Sequence, residues 1–170
     1  MAEEASEAAV LFADVSGSTK LYESAGNAVA HAAVESCVNL MKQKTQAAKG
    51  RVIKTIGDEV MYAVDDPVAA AHLALDLVSV EDESFPELRV GVAYGPVLTK
   101  LGDVFGPVVN IAARLTELAR PGRVLVDRDL SAYLREHAAD EFRLRRARTA
   151  SVRGYRKLDS WSLRPPREKT

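Results

Sequence analysis

The order of apolar and punctuating segments predicts an α+β fold of the ferredoxin-like, split βαβ kind, with helices on a mainly antiparallel sheet. Three observations carry this expectation. Short runs rich in strand formers alternate with longer Ala- and Leu-rich runs at helical spacing. Two of the short runs meet at Gly57-Asp58, a tight-hairpin signal. The helical runs are bounded by Pro and Gly.

In order, "AAVLFADV" (8–15) reads as a buried strand closed by "SGST" (16–19), which has the character of a helix cap. Residues 19–48 contain no Pro and abundant Ala, so one long helix is expected, with a break at Gly26-Asn27 as the alternative. "RVIKTIGDEVMYAV" (51–64) is the hairpin. "DDPVAAAHLALDLVSV" (65–80) carries acidic residues and Pro67 in its first turn and reads as a second helix. A strand at 88–98 follows, then a turn into a short extended piece at 100–106 and a helix at 108–122 stopped by Pro121-Gly122. A strand at 123–127, a helix at 128–138 and two strands in the last thirty residues complete the reading. The whole of 1–170 is expected to be one domain, with its core at about 8–163 and a flexible polar tail at 164–170.

Composition excludes several classes. Hydrophobic residues at 47% and charged residues at 28% describe an ordinary globular protein, and a formal charge of −1 gives no global attraction to nucleic acid or acidic membrane. The single Cys37 forms no internal disulfide. No apolar run approaches the ~18 residues that span a bilayer, and the N-terminus is acidic, so the expected location is cytoplasmic. Arginines at 143, 145, 146, 148, 153 and 156 form a basic cluster with Lys157, but little aromatic interleaving accompanies them, and they read as a mostly solvated face without a nucleic-acid partner.

A bland turn has no use for Lys54 four residues before Asp58, and that oddity directs attention to the polar positions. Asp14 closes the first strand and Asp58 tips the hairpin, which in a split βαβ sheet can be neighbours. Two adjoining carboxylates repel unless a cation lies between them, and Mg²⁺ or Mn²⁺ suits oxygen ligands. The backbone N–H groups of Gly17, Ser18 and Thr19 at a helix start attract phosphate. Taken singly, Asp14 reads as a cap neighbour and Asp58 and Asp103 as turn residues. Asn110 and Arg114 share one helix face, and by spacing alone Arg114 reads as a partner for Glu117.

Taken together, "LFADVSGST", "IKTIGDEVM", "RVGVAYGPV" and "GDVFGPVVNIAARL" resemble the catalytic domain of class III adenylyl cyclases over about residues 8–160, and the short stretch between Gly95 and Asp103 resembles the short-arm actinobacterial subgroup. The resemblance implies an adenylyl cyclase that turns ATP into cyclic AMP and pyrophosphate with two divalent cations. It implies metal binding by Asp14, Asp58 and the Val15 carbonyl, and adenine selection by Lys54 and Asp103. Asn110 would orient the ribose and Arg114 stabilise the pentavalent phosphorus, while Arg153 or Arg156 would meet the terminal phosphates. It also implies a head-to-tail homodimer with shared sites, one chain giving Asp14 and Asp58 and the other Lys54, Asp103, Asn110 and Arg114. Guanylyl cyclase is the alternative within the same chemistry, disfavoured by Lys54 with Asp103. A catalytically silent cyclase-like domain is the alternative outside it, disfavoured because all six polar positions are retained.

Overall fold

The computed structural model describes residues 4–15, 26–79, 87–147, 150–152 and 155–166. The first four strands are β1 (Glu4–Val15), β2 (Arg51–Ile56), β3 (Glu59–Val64) and β4 (Leu88–Lys100), and they lie side by side in the order β2-β3-β1-β4. Every pairing among them is antiparallel. This is the split βαβ order: the two middle strands are the ones whose sequences are nearly all apolar, because both of their faces are covered. Along β1 the residues from Ala8 to Ala13 are buried, and along β3 those from Val60 to Val64.

Two helices join these strands. Helix α1 (Asn27–Ala47) follows Gly26, so the break expected at Gly26-Asn27 coincides with its start; residues 19–25 lie outside the described residues. Helix α2 (Pro67–Val78) begins as the sequence indicates: the Asp66 carboxylate accepts the Val68 N–H at 3.0 Å and Pro67 occupies the first turn. Beyond β4 come β5 (Asp103–Phe105), which folds back on β4, then helix α3 (Pro107–Leu118), β6 (Arg123–Val126) and helix α4 (Arg128–His137). β6 runs parallel to β4 and extends the sheet.

The C-terminal region departs from expectation. Four strands are present in place of two: β7 (Arg143–Arg146), β8 (Ala150–Val152), β9 (Tyr155–Leu158) and β10 (Trp161–Arg164). β10 and β7 finish the main sheet, while β8 and β9 form a separate ribbon. The ribbon packs Leu158 against Leu115 of α3, Ala119 just after it and Leu125 of β6.

The sheet separates two apolar layers. The larger one gathers Leu11, Val60, Tyr62, Val90 and Val92 under α1, α2 and α4, and the other places Val10, Phe12, Met61 and Ala93 beneath α3. Helix α3 sits very close to β4 at Gly91. A Cβ there would lie 2.4 Å from the Thr116 nitrogen and 2.5 Å from the Ala112 oxygen, so only Gly permits this approach. Thr116 reinforces it by donating its hydroxyl to the carbonyl oxygen of Ala112 at 2.9 Å, with the Phe12 carbonyl at 3.3 Å. This packing fixes where α3 presents its polar residues.

Candidate active site

The end of β1 and the tip of the β2–β3 hairpin are tied together: the Val15 N–H donates to the Asp58 carbonyl at 3.1 Å. Gly57 takes a φ of 60° at the first position of the turn, a conformation that leaves Asp58 at the exposed tip. Strand register sets Asp14 opposite Glu59 on β3 and opposite Arg89 on β4. Burial pushes the Asp14 carboxyl above its ordinary range, Arg89 pulls it down, and Asp58 pushes it up again. Glu59 is raised in the same way, first by burial and then by Asp14 and Glu117.

This end of the sheet is therefore rich in carboxylate charge. Among the described residues, no group of three or more His, Cys, Asp or Glu is arranged to hold a metal. A cation would rest on Asp14, Asp58 and a backbone oxygen such as that of Val15, an oxygen-only donor set that suits Mg²⁺ or Mn²⁺. A cation bound there would add to the pull of Arg89 and oppose the rise that burial and Asp58 impose on the Asp14 carboxyl.

The basic part of the site begins on β2. Lys54 Nζ lies 2.9 Å from Asp103 Oδ2, a contact that bridges 49 positions of sequence. Asp103 Oδ1 accepts the Val104 N–H at 2.8 Å. The hydrogen bond from Lys54 holds the Asp103 carboxyl below its ordinary value. With side-chain exposures of 43% and 30%, both partners remain reachable from solvent. Lys54 lines a cavity of about 510 Å³ together with Phe105, Pro107, Val109 and Asn110. Arg114, one turn along α3, is held by Glu117 at 3.0 Å, the pairing that helical spacing indicates.

The sequence-predicted residues thus fall into three places. Asp14, Val15 and Asp58 meet at one strand end; Lys54 and Asn110 line the cavity, with Asp103 paired to Lys54; Arg114 stands on the same helix as Asn110 with its own partner. Gly17, Ser18, Thr19 and Arg153 lie outside the described residues. Sequence reasoning missed Glu59 and Arg89 as neighbours of Asp14. Arg89 is half-buried, its Nε has no hydrogen-bond partner among the described residues, and only strand register could have revealed the pairing.

Residues 1–165 match the model of the adenylate and guanylate cyclase catalytic domain. The chain is 47% identical over 121 residues to an adenylate cyclase of Streptomyces coelicolor, covering 70% of this chain and 32% of that protein. It is 45% identical over 116 residues to an adenylate cyclase of Glutamicibacter nicotianae, covering 67% of this chain and 28% of that one. The chain therefore spans about a third of the length of these relatives. Among solved structures, the adenylyl cyclase CyaB from P. aeruginosa superposes with a TM-score of 0.84 at 19% identity, covering 98% of both chains, which establishes a shared fold. The chain belongs to the adenylate and guanylate cyclase catalytic domain family.

Proposed function

We propose that this chain is the catalytic part of an adenylyl cyclase and converts ATP to 3′,5′-cyclic AMP and pyrophosphate at sites shared between two copies. The observation that carries the reading is the Lys54–Asp103 pair at 2.9 Å beside the cavity lined by Asn110. It sets a donor and an acceptor side by side, the pattern that adenine N1 and its exocyclic amine require, whereas guanine presents a donor at N1. Relatives that carry the name adenylate cyclase support the same choice.

In this reading the ribose 3′-oxygen attacks the α-phosphorus, the bond to the pyrophosphate oxygen breaks, and the hydroxyl proton leaves to solvent. Two divalent cations, Mg²⁺ or Mn²⁺, would lower the pKa of that hydroxyl and neutralise the phosphates when bound. Asp14, Asp58 and the Val15 carbonyl would hold them. Asn110 orients the ribose. Arg114 exchanges its bond to Glu117 for a phosphoryl oxygen, placing a guanidinium where negative charge develops. The N–H groups of Gly17, Ser18 and Thr19 serve the phosphates, and Arg153 serves their terminal end.

A second copy completes each site. Ile56, Leu101 and Phe105 flank the Lys54–Asp103 pair and are 53%, 73% and 48% exposed, apolar surface that a head-to-tail partner would cover. The test is direct: purified protein is incubated with ATP or GTP and Mn²⁺ or Mg²⁺, and the products are separated by chromatography. Cyclic AMP from ATP supports the reading. Cyclic GMP as the main product, or no cyclic product under any combination, overturns it.

A further inference from the structure

The sheet edge remote from Asp14 carries a second concentration of charge, four strand steps and roughly 19 Å away. β10 pairs antiparallel with β7, with Arg164 opposite Arg143 and Ser162 opposite Arg145. Side chains alternate between faces along a strand, so Arg143, Arg145 and Arg164 share one face. Leu144, Leu163 and Trp161 point to the other, where Leu163 and Trp161 belong to the main core and Leu144 packs against it.

The two faces treat their arginines differently. On the core side Arg146 is paired with Asp159 at 3.0 Å and lies 5.8 Å from the centre of the Trp161 ring. On the opposite side Arg143, Arg145 and Arg164 have no carboxylate partner among the described residues. Arg143 donates its Nε to the Pro165 carbonyl at 2.8 Å, which orients its guanidinium without neutralising it. Arg123 precedes Val124, the partner of Leu163, and so adds a fourth cation to the same face.

Like charges directly opposite one another weaken a strand pair, and Arg cannot shed its charge. These three residues, together with Leu144 between the first two, also line one cavity of about 590 Å³ at the strand edge, a size in the range of small-molecule sites. Guanidinium forks match phosphate oxygens two at a time, so an anion seated there converts mutual repulsion into charge-assisted hydrogen bonds. We propose that the cavity at the β7–β10 edge binds a small anion bearing several phosphate groups, at a site separate from the nucleotide site. A single-stranded nucleic acid fits less well. The large apolar side chains exposed among the described residues are Val29, Ile56, Leu101, Phe105 and Leu118, none of them on these strands, and Trp161 is 8% exposed on the far face.

The site stands independently of the cyclase reading, and calorimetric titration with inorganic tripolyphosphate in EDTA tests it. Wild-type protein should bind about one tripolyphosphate per chain, and Arg145→Gln/Arg164→Gln should weaken binding by about tenfold or more. Arg114→Ala should retain wild-type affinity. Circular dichroism and melting of the double variant show whether it is folded, and if it is not, the single Arg145→Gln variant replaces it with the same expectation. Unchanged affinity in the folded variant overturns the site. So does loss confined to Arg114→Ala, absence of binding at millimolar tripolyphosphate, or binding only of an oligothymidylate offered in its place.

Discussion

Lys54 and Asp58 belong to the same hairpin, yet their surroundings are balanced differently. Lys54 has its counter-charge within 2.9 Å, and the pairing holds Asp103 ionised below the usual carboxylate range. At the other end of the hairpin Asp14 and Glu59 face each other across β1 and β3 with Asp58 beside them, and burial and mutual repulsion push both carboxyls up. Arg89 offsets only part of that. The Lys54–Asp103 half thus has its charges matched within one protomer, whereas among the described residues the cation shown acting on Asp14 in the acidic half is Arg89. In the proposed reading a cation supplied from solution would make up the difference, so that chemistry would belong to the acidic half and base discrimination to the other.

The largest effects should come from breaking the acidic half. Asp14→Ala or Asp58→Ala should lower cyclase turnover by about a thousandfold or more. The same variants should lose the rise in melting temperature that Mn²⁺ gives the wild type. Their melting temperature without metal should change little, because a repelling carboxylate has been removed. An unchanged Mn²⁺ shift would mean that the cation binds elsewhere.

Breaking the other half should cost less and change selectivity. Lys54→Glu with Asp103→Ala should depress ATP turnover by roughly a hundredfold, because each mismatch leaves a polar edge of the base unpaired. Chromatography of products from ATP and GTP measures both rates. An ATP preference as strong as wild type would remove these residues from base reading.

The next effect is structural and connects the halves to α3. Gly91→Ala drives a methyl into the backbone at Thr116 and Ala112, so the helix must move. A loss of about 2 kcal/mol in urea unfolding is expected, with activity falling further than stability because α3 carries Asn110 and Arg114. Stability equal to wild type would show that the close approach is not needed.

Asp127 supplies a control of smaller size, a buried carboxylate with no metal role. Burial pushes it up to about 7 from an ordinary 3.8, against the pull of hydrogen bonds from the Leu130 and Tyr94 N–H groups. Between those values the native state retains a proton that the unfolded chain has released. Its contribution to stability is therefore full below pH 3.8 and is lost as pH rises through about 7. Asp127→Asn keeps an acceptor for both N–H groups and removes the titration. Urea midpoints at pH 5 and 8, measured in EDTA, should differ less in the variant than in wild type. Equal differences in both would place the titrating group elsewhere.

Much of the fold was legible because the strands nearest its centre are covered on both faces and must be apolar: β1, β3 and β4 read as runs from composition alone. The C-terminal strands were not. In β7 arginines occupy both faces, since Arg146 lies against Trp161 and Arg143 and Arg145 project the other way, so polar alternation is erased. Asp14, Asp58, Asp103 and Arg114 each have a bland local reading; Lys54 stood out beside its turn, and only the joint order of the six polar positions in the chain gave them a common reading. Glu59 and Arg89 escaped notice because their relation to Asp14 is a matter of register across strands, which periodicity within a strand does not encode.

Sharing of each site between two chains is the claim on which this reading depends, and a mixture of two inactive proteins tests it. Asp14→Ala and Arg114→Ala homodimers should each be inactive, because every site lacks one group. In a mixed dimer one site inherits both lesions, while the other takes Asp14 from one chain and Arg114 from its partner and is complete. Random pairing makes about half of the dimers mixed, so roughly a quarter of wild-type activity should return, by the two-fold symmetry of such an interface. Subunit exchange is verified by tagging one protein and co-purifying the other. Recovery near a quarter, falling on dilution, is the predicted result; mixed dimers that form and stay inactive would contradict it and assign both residues to one chain's site.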